Sequence, residues 1–257
     1  MFNILKARMH QKHRTHKFPD ENPAMPPGYT GLPVLNLSSC NDSCARCVDA
    51  CPVSAISKKA GKIEIDIGKC IFCKECEREC PQKSISFSSE FSLAARQRKD
   101  LVISGERFKQ AGALEKDLLR IWGRSFKLRQ VSAGGCNACE ADTNVLNTPV
   151  FDLSRFGIQF VASPRHADGI LVTGPVSQNM KLALQKTYDA IPEPKIVLAV
   201  GACAISGGIF RDNREVNNGV TDILPVSLFI PGCPPSPWTI LDGLLRLLGK
   251  ISTVQMP

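Results

Sequence analysis

Along the chain the spacing of apolar residues changes several times, and each change marks a different kind of element. From Val131 onward short apolar runs (FGIQFVAS, GILVTG, KIVLAV, VSLFIPG) alternate with stretches of helical spacing (VSQNMKLALQKTYDAI, SPWTILDGLLRLLG). Short apolar runs read as buried strands, and their alternation with helices predicts an α/β sheet layered between helices. From about Phe91 to Gln130 the pattern is basic and helical. Leu114, Leu118, Ile121 and Trp122 fall on one side, and Lys116, Arg120, Arg124 and Lys127 on the other, which predicts a basic helix from Gly112 to Lys127 in an interdomain region. At the start, Met1, Phe2, Ile4, Leu5 and Met9 are interleaved with basic side chains, as in a frayed or interfacial helix. The next segment, FPDENPAMPPGYTGLP, has five prolines and predicts an extended connector.

Between connector and basic stretch, over residues 36–90, periodicity gives way to cysteine. Cys44, Cys47, Cys51, Pro52 and Ile56 recur as Cys73, Cys76, Cys80, Pro81 and Ile85, a repeat whose offset is the same at every one of these positions. A repeat this short and cysteine-dense holds little apolar core, so bound metal is expected to supply much of its folding free energy.

Composition sharpens this picture at two points. The chain has 257 residues, 43% hydrophobic and 22% charged, enough for two modest domains and ordinary for a soluble protein. Mean hydropathy is -0.06, and no apolar stretch reaches the roughly 18 to 20 residues a membrane-spanning helix needs. Twelve cysteines in a chain without a recognisable secretory signal point to metal rather than to a disulfide framework. Net charge is +8, concentrated in residues 1–19 and 91–130. No nucleic-acid motif accompanies this charge, so nucleic acid is not an expected partner.

The second cysteine burst, Cys70-x2-Cys73-x2-Cys76-x3-Cys80-Pro, matches the bacterial ferredoxin run, in which three thiolates hold one cluster and the fourth reaches to the other. The first burst, Cys40-x3-Cys44-x2-Cys47-x3-Cys51-Pro, has one additional residue in its first gap. The crossover rule assigns Cys40, Cys44, Cys47 and Cys80 to one 4Fe-4S cluster and Cys70, Cys73, Cys76 and Cys51 to another. A pair of zinc ribbons is the alternative, since CxxC pairs also bind zinc. The last four cysteines lie in GGCNACE (Cys136, Cys139), GACAISGG (Cys203) and PGCPPSP (Cys233), in loops at or near strand ends. Glycines beside them suit close backbone approach to a cluster. Scattered buried cysteines are the competing reading.

The stretches GGCNACE, FVASPRHADGILVTGPV, PEPKIVLAVGACAISGGIF and IPGCPPSPWTILDGLL resemble the small subunits of energy-converting, group 4 NiFe hydrogenases and the related twenty-kilodalton, cluster-bearing core subunit of respiratory complex I. The N-terminal half, through MFNILK, GKCIFCKECERECP and SSEFSLA, resembles the two-cluster ferredoxin-like subunit of formate hydrogenlyase. This resemblance implies an α+β ferredoxin-like two-cluster domain followed by a flavodoxin-like α/β domain. It also implies a proximal 4Fe-4S cluster on Cys136, Cys139, Cys203 and Cys233, giving three 4Fe-4S clusters in all. The domains expected are a basic segment and connector (1–35), the two-cluster domain (36–90), a basic helical linker (91–130) and the small-subunit-like domain (131–257).

As function, the resemblance implies an electron-transfer subunit of a membrane-associated, formate hydrogenlyase-like oxidoreductase. Its expected partners are a hydrogenase large subunit holding the NiFe site (or its complex I counterpart, the forty-nine-kilodalton-like subunit), membrane-arm subunits, and an electron-donor subunit or ferredoxin. The expected location is cytoplasmic, peripheral on the inner membrane. Cys136 and Cys139 are separated by Asn137 and Ala138, the hydrogenase-type spacing, whereas complex I subunits typically present adjacent cysteines there. A complex I-like subunit without nickel, a soluble ferredoxin that shuttles electrons, and a zinc-stabilised scaffold stay open as rivals.

Three further features carry paired readings. Arg165 and His166 lie between two strands, in a segment that the family places near the cluster, where Arg165 would tune its potential; alternatively Arg165 pairs with Asp168 inside the loop. Glu140 lies on a proton path or is a helix N-terminal glutamate favoured by the macrodipole. The basic helix and N-terminal segment face an anionic bilayer, or solvent and a partner subunit. No nucleotide-binding fingerprint or nucleophile–base triad is present, so no substrate chemistry is expected from this chain alone.

Overall fold

A computed structural model describes residues 2–41, 43–59, 61–105 and 108–251. Met1 of the N-terminal segment and residues 252–257 of the C-terminal region lie outside them. The chain opens with α1 (Phe2–Gln11), which buries no residue; Phe2 is 88% exposed. The connector that follows has no helix, yet it is more than an extended tether. Phe18 is buried against Phe91 and Trp238, and Tyr29 Oη shares a hydrogen bond with Thr239 Oγ1 at 3.2 Å. It ends in β1 (Pro33–Leu35).

Next come α2 (Arg46–Asp49), β2 (Ile56–Lys59), β3 (Lys62–Asp66), α3 (Glu75–Arg78) and β4 (Ile85–Phe87). The sequence repeat is a structural repeat: α2 corresponds to α3, and β2 to β4. Ser54 (φ 49°) and Lys83 (φ 52°) adopt the same left-handed turn before each strand. β1 pairs antiparallel with β4, and β2 with β3, which also pairs with β5 (Val102–Ile103) beyond the repeat. The expectation of little apolar core fails here. Ile56, Ile63, Ile65, Ile67 and Ile85 are all buried and form one core with Val131, Ile170, Val172, Val197 and Phe229 of the following unit. Too few to sustain a core alone, they suffice when shared.

The predicted helix from Gly112 to Lys127 shrinks to α4 (Lys116–Trp122), followed by the strand β6 (Phe126–Ser132). Phe126 and Leu128 are fully buried and alternate with Lys127 and Arg129, a period of two that a helical reading absorbs over so short a span. Trp122 and Leu114 are buried as expected, but Ile121 is 57% exposed, and Lys127 belongs to the strand rather than to a basic helix face.

The remaining elements are α5 (Ala138–Val145), β7 (Ile158–Phe160), β8 (Gly169–Thr173), α6 (Gln178–Asp189), β9 (Ile196–Val200), α7 (Ala202–Ser206), β10 (Val226–Ile230) and α8 (Pro237–Leu247). The strands make one parallel five-stranded sheet in the order β10-β9-β8-β6-β7. Both faces of the central β8 and β9 are buried, which is why these two read as continuous apolar runs. Leu128, Leu171, Leu198 and Leu228 pack with Ile240, Leu241 and Leu244 of α8, while Val172, Val197 and Ala199 join the isoleucines of the repeat. No helix among the described residues is long and apolar enough to cross a membrane.

Candidate metal centres

All twelve cysteines are free thiols, and they gather in three places. Cys47 sits on α2; its thiol is pushed up by burial first and then by neighbouring Cys80, Cys40 and Cys44. On α3 the Cys76 thiol is pushed up to about 12, by burial and then by Cys51 and Cys73, with Cys47 farther down the order. Cys70 rises to about 12 through burial, with neighbouring Cys76, Cys51 and Cys73 adding to it and the Phe72 N–H opposing. The fourth cysteine of each repeat therefore stands near the other repeat, Cys80 by Cys47 and Cys51 by Cys70 and Cys76.

Local backbone geometry explains how these sulfurs are presented. Ala55 N–H donates to Cys51 Sγ at 3.2 Å, and Ser84 N–H donates to Cys80 Sγ at 3.2 Å, the same bond in both repeats. Phe72 N–H donates to Cys70 Sγ at 3.3 Å. Phe72 (φ 57°) and Lys74 (φ 63°) wind the loop between Cys70 and Cys76 through a left-handed conformation that non-glycine residues seldom adopt. The longer first gap of the other burst is folded up by Asn41, whose Oδ1 accepts from Ser43 N–H and Oγ at 2.9 Å each. Lys58 Nζ holds the same loop through the carbonyls of Asn41 and Cys44, at 2.8 and 3.1 Å.

The third group forms at the carboxyl ends of the parallel strands, where open α/β sheets place ligands. Cys136 and Cys139 follow β6, Cys203 follows β9 and Cys233 follows β10. Cys139 and Cys203 stand on the first turns of α5 and α7 rather than in loops. Gly201 N–H donates to Ile230 O at 2.9 Å and Ala202 N–H to Gly232 O at 2.8 Å, tying the loops of Cys203 and Cys233 together. Burial pushes the Cys203 thiol up to about 11, with Cys233 and Cys136 adding to it. The Cys139 thiol is raised further, by burial and then by Cys203, Glu140, Cys233 and Cys136. Cys136 and Cys233 are exposed, and Ile209 and Phe210, which follow the helix of Cys203, are exposed as well.

The residues fit iron-sulfur clusters, whose irons take Cys thiolates as ligands. Backbone N–H donors to sulfur suit electron-rich thiolates, and glycine makes room for them: a Cβ on Gly201 (φ +91°) would stand 2.5 Å from Cys139 Sγ.

The flanking polar residues behave differently from expectation. Glu140 is 5% exposed, and its Oε1 accepts from Ser132 Oγ and Thr173 Oγ1 at 2.6 Å each, so it ties α5 to the ends of β6 and β8 rather than serving only a helix dipole. Arg165 and His166 are exposed on a 3-10 turn ahead of β8. That turn lies beside Lys127, at the other end of β6 from the cysteines. Asp168 Oδ2 accepts from the Lys127 N–H at 2.6 Å instead of pairing with Arg165. The structure does not bring Arg165 or His166 to the cysteine group.

Residues 136–247, which span the last four cysteines, match the family described as NADH ubiquinone oxidoreductase, 20 Kd subunit. Residues 32–81, which span the first eight, match a 4Fe-4S dicluster domain. The chain is 42% identical to a "Probable membrane-bound hydrogenase subunit mbhJ" of Pyrococcus furiosus, over 52% of this chain and 81% of that protein. The chain belongs to the NADH ubiquinone oxidoreductase, 20 Kd subunit, family. Formate hydrogenlyase subunit 7 of Escherichia coli is 43% identical over 54% of each chain. An NADH-quinone oxidoreductase subunit of Desulfovibrio desulfuricans is 42% identical, over 52% of this chain and 73% of that protein. In this family member the α/β unit, with its parallel sheet, follows an N-terminal ferredoxin-like 4Fe-4S domain.

Sequence reasoning passed over the amides of Ala55 and Ser84, although the repeat offset places them in equivalent positions. It also passed over Lys58 and Ser206, which no local pattern marks.

Proposed function

We propose that the chain holds three 4Fe-4S clusters and conducts electrons toward the catalytic subunit of a membrane-associated hydrogenase of the formate hydrogenlyase type. Cys40, Cys44, Cys47 and Cys80 hold the first, Cys51, Cys70, Cys73 and Cys76 the second, and Cys136, Cys139, Cys203 and Cys233 the third. Such clusters supply one-electron exchange. The observation that carries this reading is the crossed neighbourhood of the repeats, Cys47 beside Cys80 and Cys76 beside Cys51, which the ferredoxin cysteine order requires and two independent zinc ribbons do not.

The chain's own residues bury the sulfurs, donate N–H groups to them and set them in rigid turns. The strand order β10-β9-β8-β6-β7 supports a flavodoxin-like arrangement for residues 131–251, with the third group at its carboxyl edge. Exposed Cys136 and Cys233, with exposed Ile209 and Phe210 following the helix of Cys203, support a large subunit covering that edge. Membrane-arm subunits and an electron donor complete the complex on the cytoplasmic side of the inner membrane.

A second reading, a complex I-like subunit whose partner lacks nickel, is favoured by the equal 42% identity to the NADH-quinone oxidoreductase and membrane-bound hydrogenase relatives. Anaerobic purification in gentle detergent separates the two. The expected result is about twelve irons and as many sulfides per chain, with a co-purifying large subunit that contains nickel and supports hydrogen-dependent dye reduction. A nickel-free large subunit selects the second reading; zinc without sulfide overturns both.

A further inference from the structure

The segments that carry the second and third cysteine groups are hydrogen-bonded to each other through Ser206. Ser206 closes α7, the helix that carries Cys203, and is 9% exposed. Its hydroxyl lies 3.0 Å from the carbonyl oxygen of Gly68 and 3.1 Å from that of Ala202. Gly68 lies just ahead of Cys70, and Ala202 is bonded directly to Cys203. One hydroxyl proton thus bridges the backbones on the two sides of the gap. A serine within a helix usually turns its hydroxyl to the carbonyl one turn back; here the contact across the units is slightly the shorter.

The approach leaves no slack. A Cβ on Gly68 would stand 2.9 Å from Leu101 Cδ1 and 3.0 Å from both Arg98 Nη1 and Ile205 Cγ2. Behind it, Gly68 N–H donates to Asp66 Oδ1 at 3.0 Å, and Arg98 forks onto the same carboxylate at 2.8 and 2.6 Å. On the other side α7 is anchored by the bonds from Gly201 and Ala202 to the β10 loop. With both flanks clamped, the Ser206 contact fixes the spacing between them.

We propose that Ser206 is a positioning residue for electron exchange between the second and third sites, its hydroxyl setting both the separation and the hydrogen-bonded path between the Cys70 loop and the Cys203 helix. This rests on the cluster reading above. The step is one electron lost at one site and gained at the other, with no bond made or broken and no proton carried through Ser206.

The test uses the full, anaerobically reconstituted chain beside Ser206→Ala, Ser206→Thr and Gly68→Ala. At equal iron and sulfide, Ser206→Ala is expected to lose the magnetic splitting between the reduced second and third sites and to slow electron equilibration after flash reduction severalfold. Ser206→Thr retains both. Gly68→Ala keeps the hydroxyl but adds a carbon that Leu101, Arg98 and Ile205 must move aside for, Ile205 being next to Ser206, and is expected to shift both readings in the same direction as Ser206→Ala. A loaded Ser206→Ala chain with the parent's splitting and rate overturns the proposal, as does equal loss in Ser206→Thr. If Ser206→Ala fails to retain iron, Gly68→Ala decides, and parent-like behaviour in it overturns the proposal. A parent chain without iron and sulfide overturns the cluster reading instead, so the two failures are distinct.

Discussion

Ala95 and Phe229 exchange both of their backbone hydrogen bonds, at 3.0 and 2.9 Å, across an antiparallel bridge. The segment leaving the repeat thereby docks on the β10 edge of a parallel sheet and covers part of an edge that would otherwise be open. Ala95→Pro removes one donor at a fully buried position. The expected cost is about 1 kcal/mol or more, seen as a lower denaturation midpoint, while the Phe229 amide, which keeps the residue-95 carbonyl as acceptor, exchanges faster only if the whole bridge opens. An unchanged midpoint would show that the two units are held together elsewhere.

The crossed cysteines can be separated by substitution. Cys51→Ser lies in the first burst by sequence but beside Cys70 and Cys76 in space. It is expected to perturb the paramagnetic signal of the second site and leave that of the first intact, while Cys80→Ser does the reverse. Signals that follow sequence order instead would refute the crossing.

Glu140 is the acceptor for two hydroxyls, and Thr173, one of them, is fully buried. Glu140→Ala leaves that hydroxyl only the long contact to the Val131 carbonyl at 3.5 Å and should cost roughly 1 to 3 kcal/mol. Glu140→Gln keeps an acceptor oxygen and should cost less. Equal losses in thermal denaturation would mean that charge, not hydrogen bonding, is what the site uses.

Tyr29 gives a pH dependence of known sign. Burial, the largest cause, raises its phenol above the ordinary 10.0, against opposing bonds from Thr239 and Ser236. The folded state therefore holds this proton more tightly than the unfolded chain. Its contribution is fully present below about pH 10 and is lost as pH rises through the folded value. Tyr29→Phe is expected to flatten that alkaline decline in the denaturation midpoint, and an unaltered slope would assign the decline to other groups.

The strands β8 and β9 were legible because burial on both faces leaves uninterrupted apolar runs, and β7, β10, α6 and α8 because short apolar runs alternate with helical spacing around them. β6 was not: Phe126 and Leu128 sit directly after a true helical turn ending at Trp122, and the two periods merge. The cysteine groups were legible because their spacing repeats. Their surroundings were less so, since the packing of Phe18 on Trp238 and the contact of Ser206 with Gly68 join segments far apart in the chain. Arg165 looked like a cluster neighbour because it shares a segment with matching residues, but the direction of the strands carries it to the opposite end of the sheet.

The exchange of fourth cysteines between the two halves of the repeat has a corollary. With the ligand sets proposed above, one half alone encloses nothing, because Cys51 stands with Cys76 and Cys80 with Cys47. A single copy would complete its sets only by pairing with an identical molecule, and the tandem repeat joins two such copies in one polypeptide, each lending the other its last thiolate.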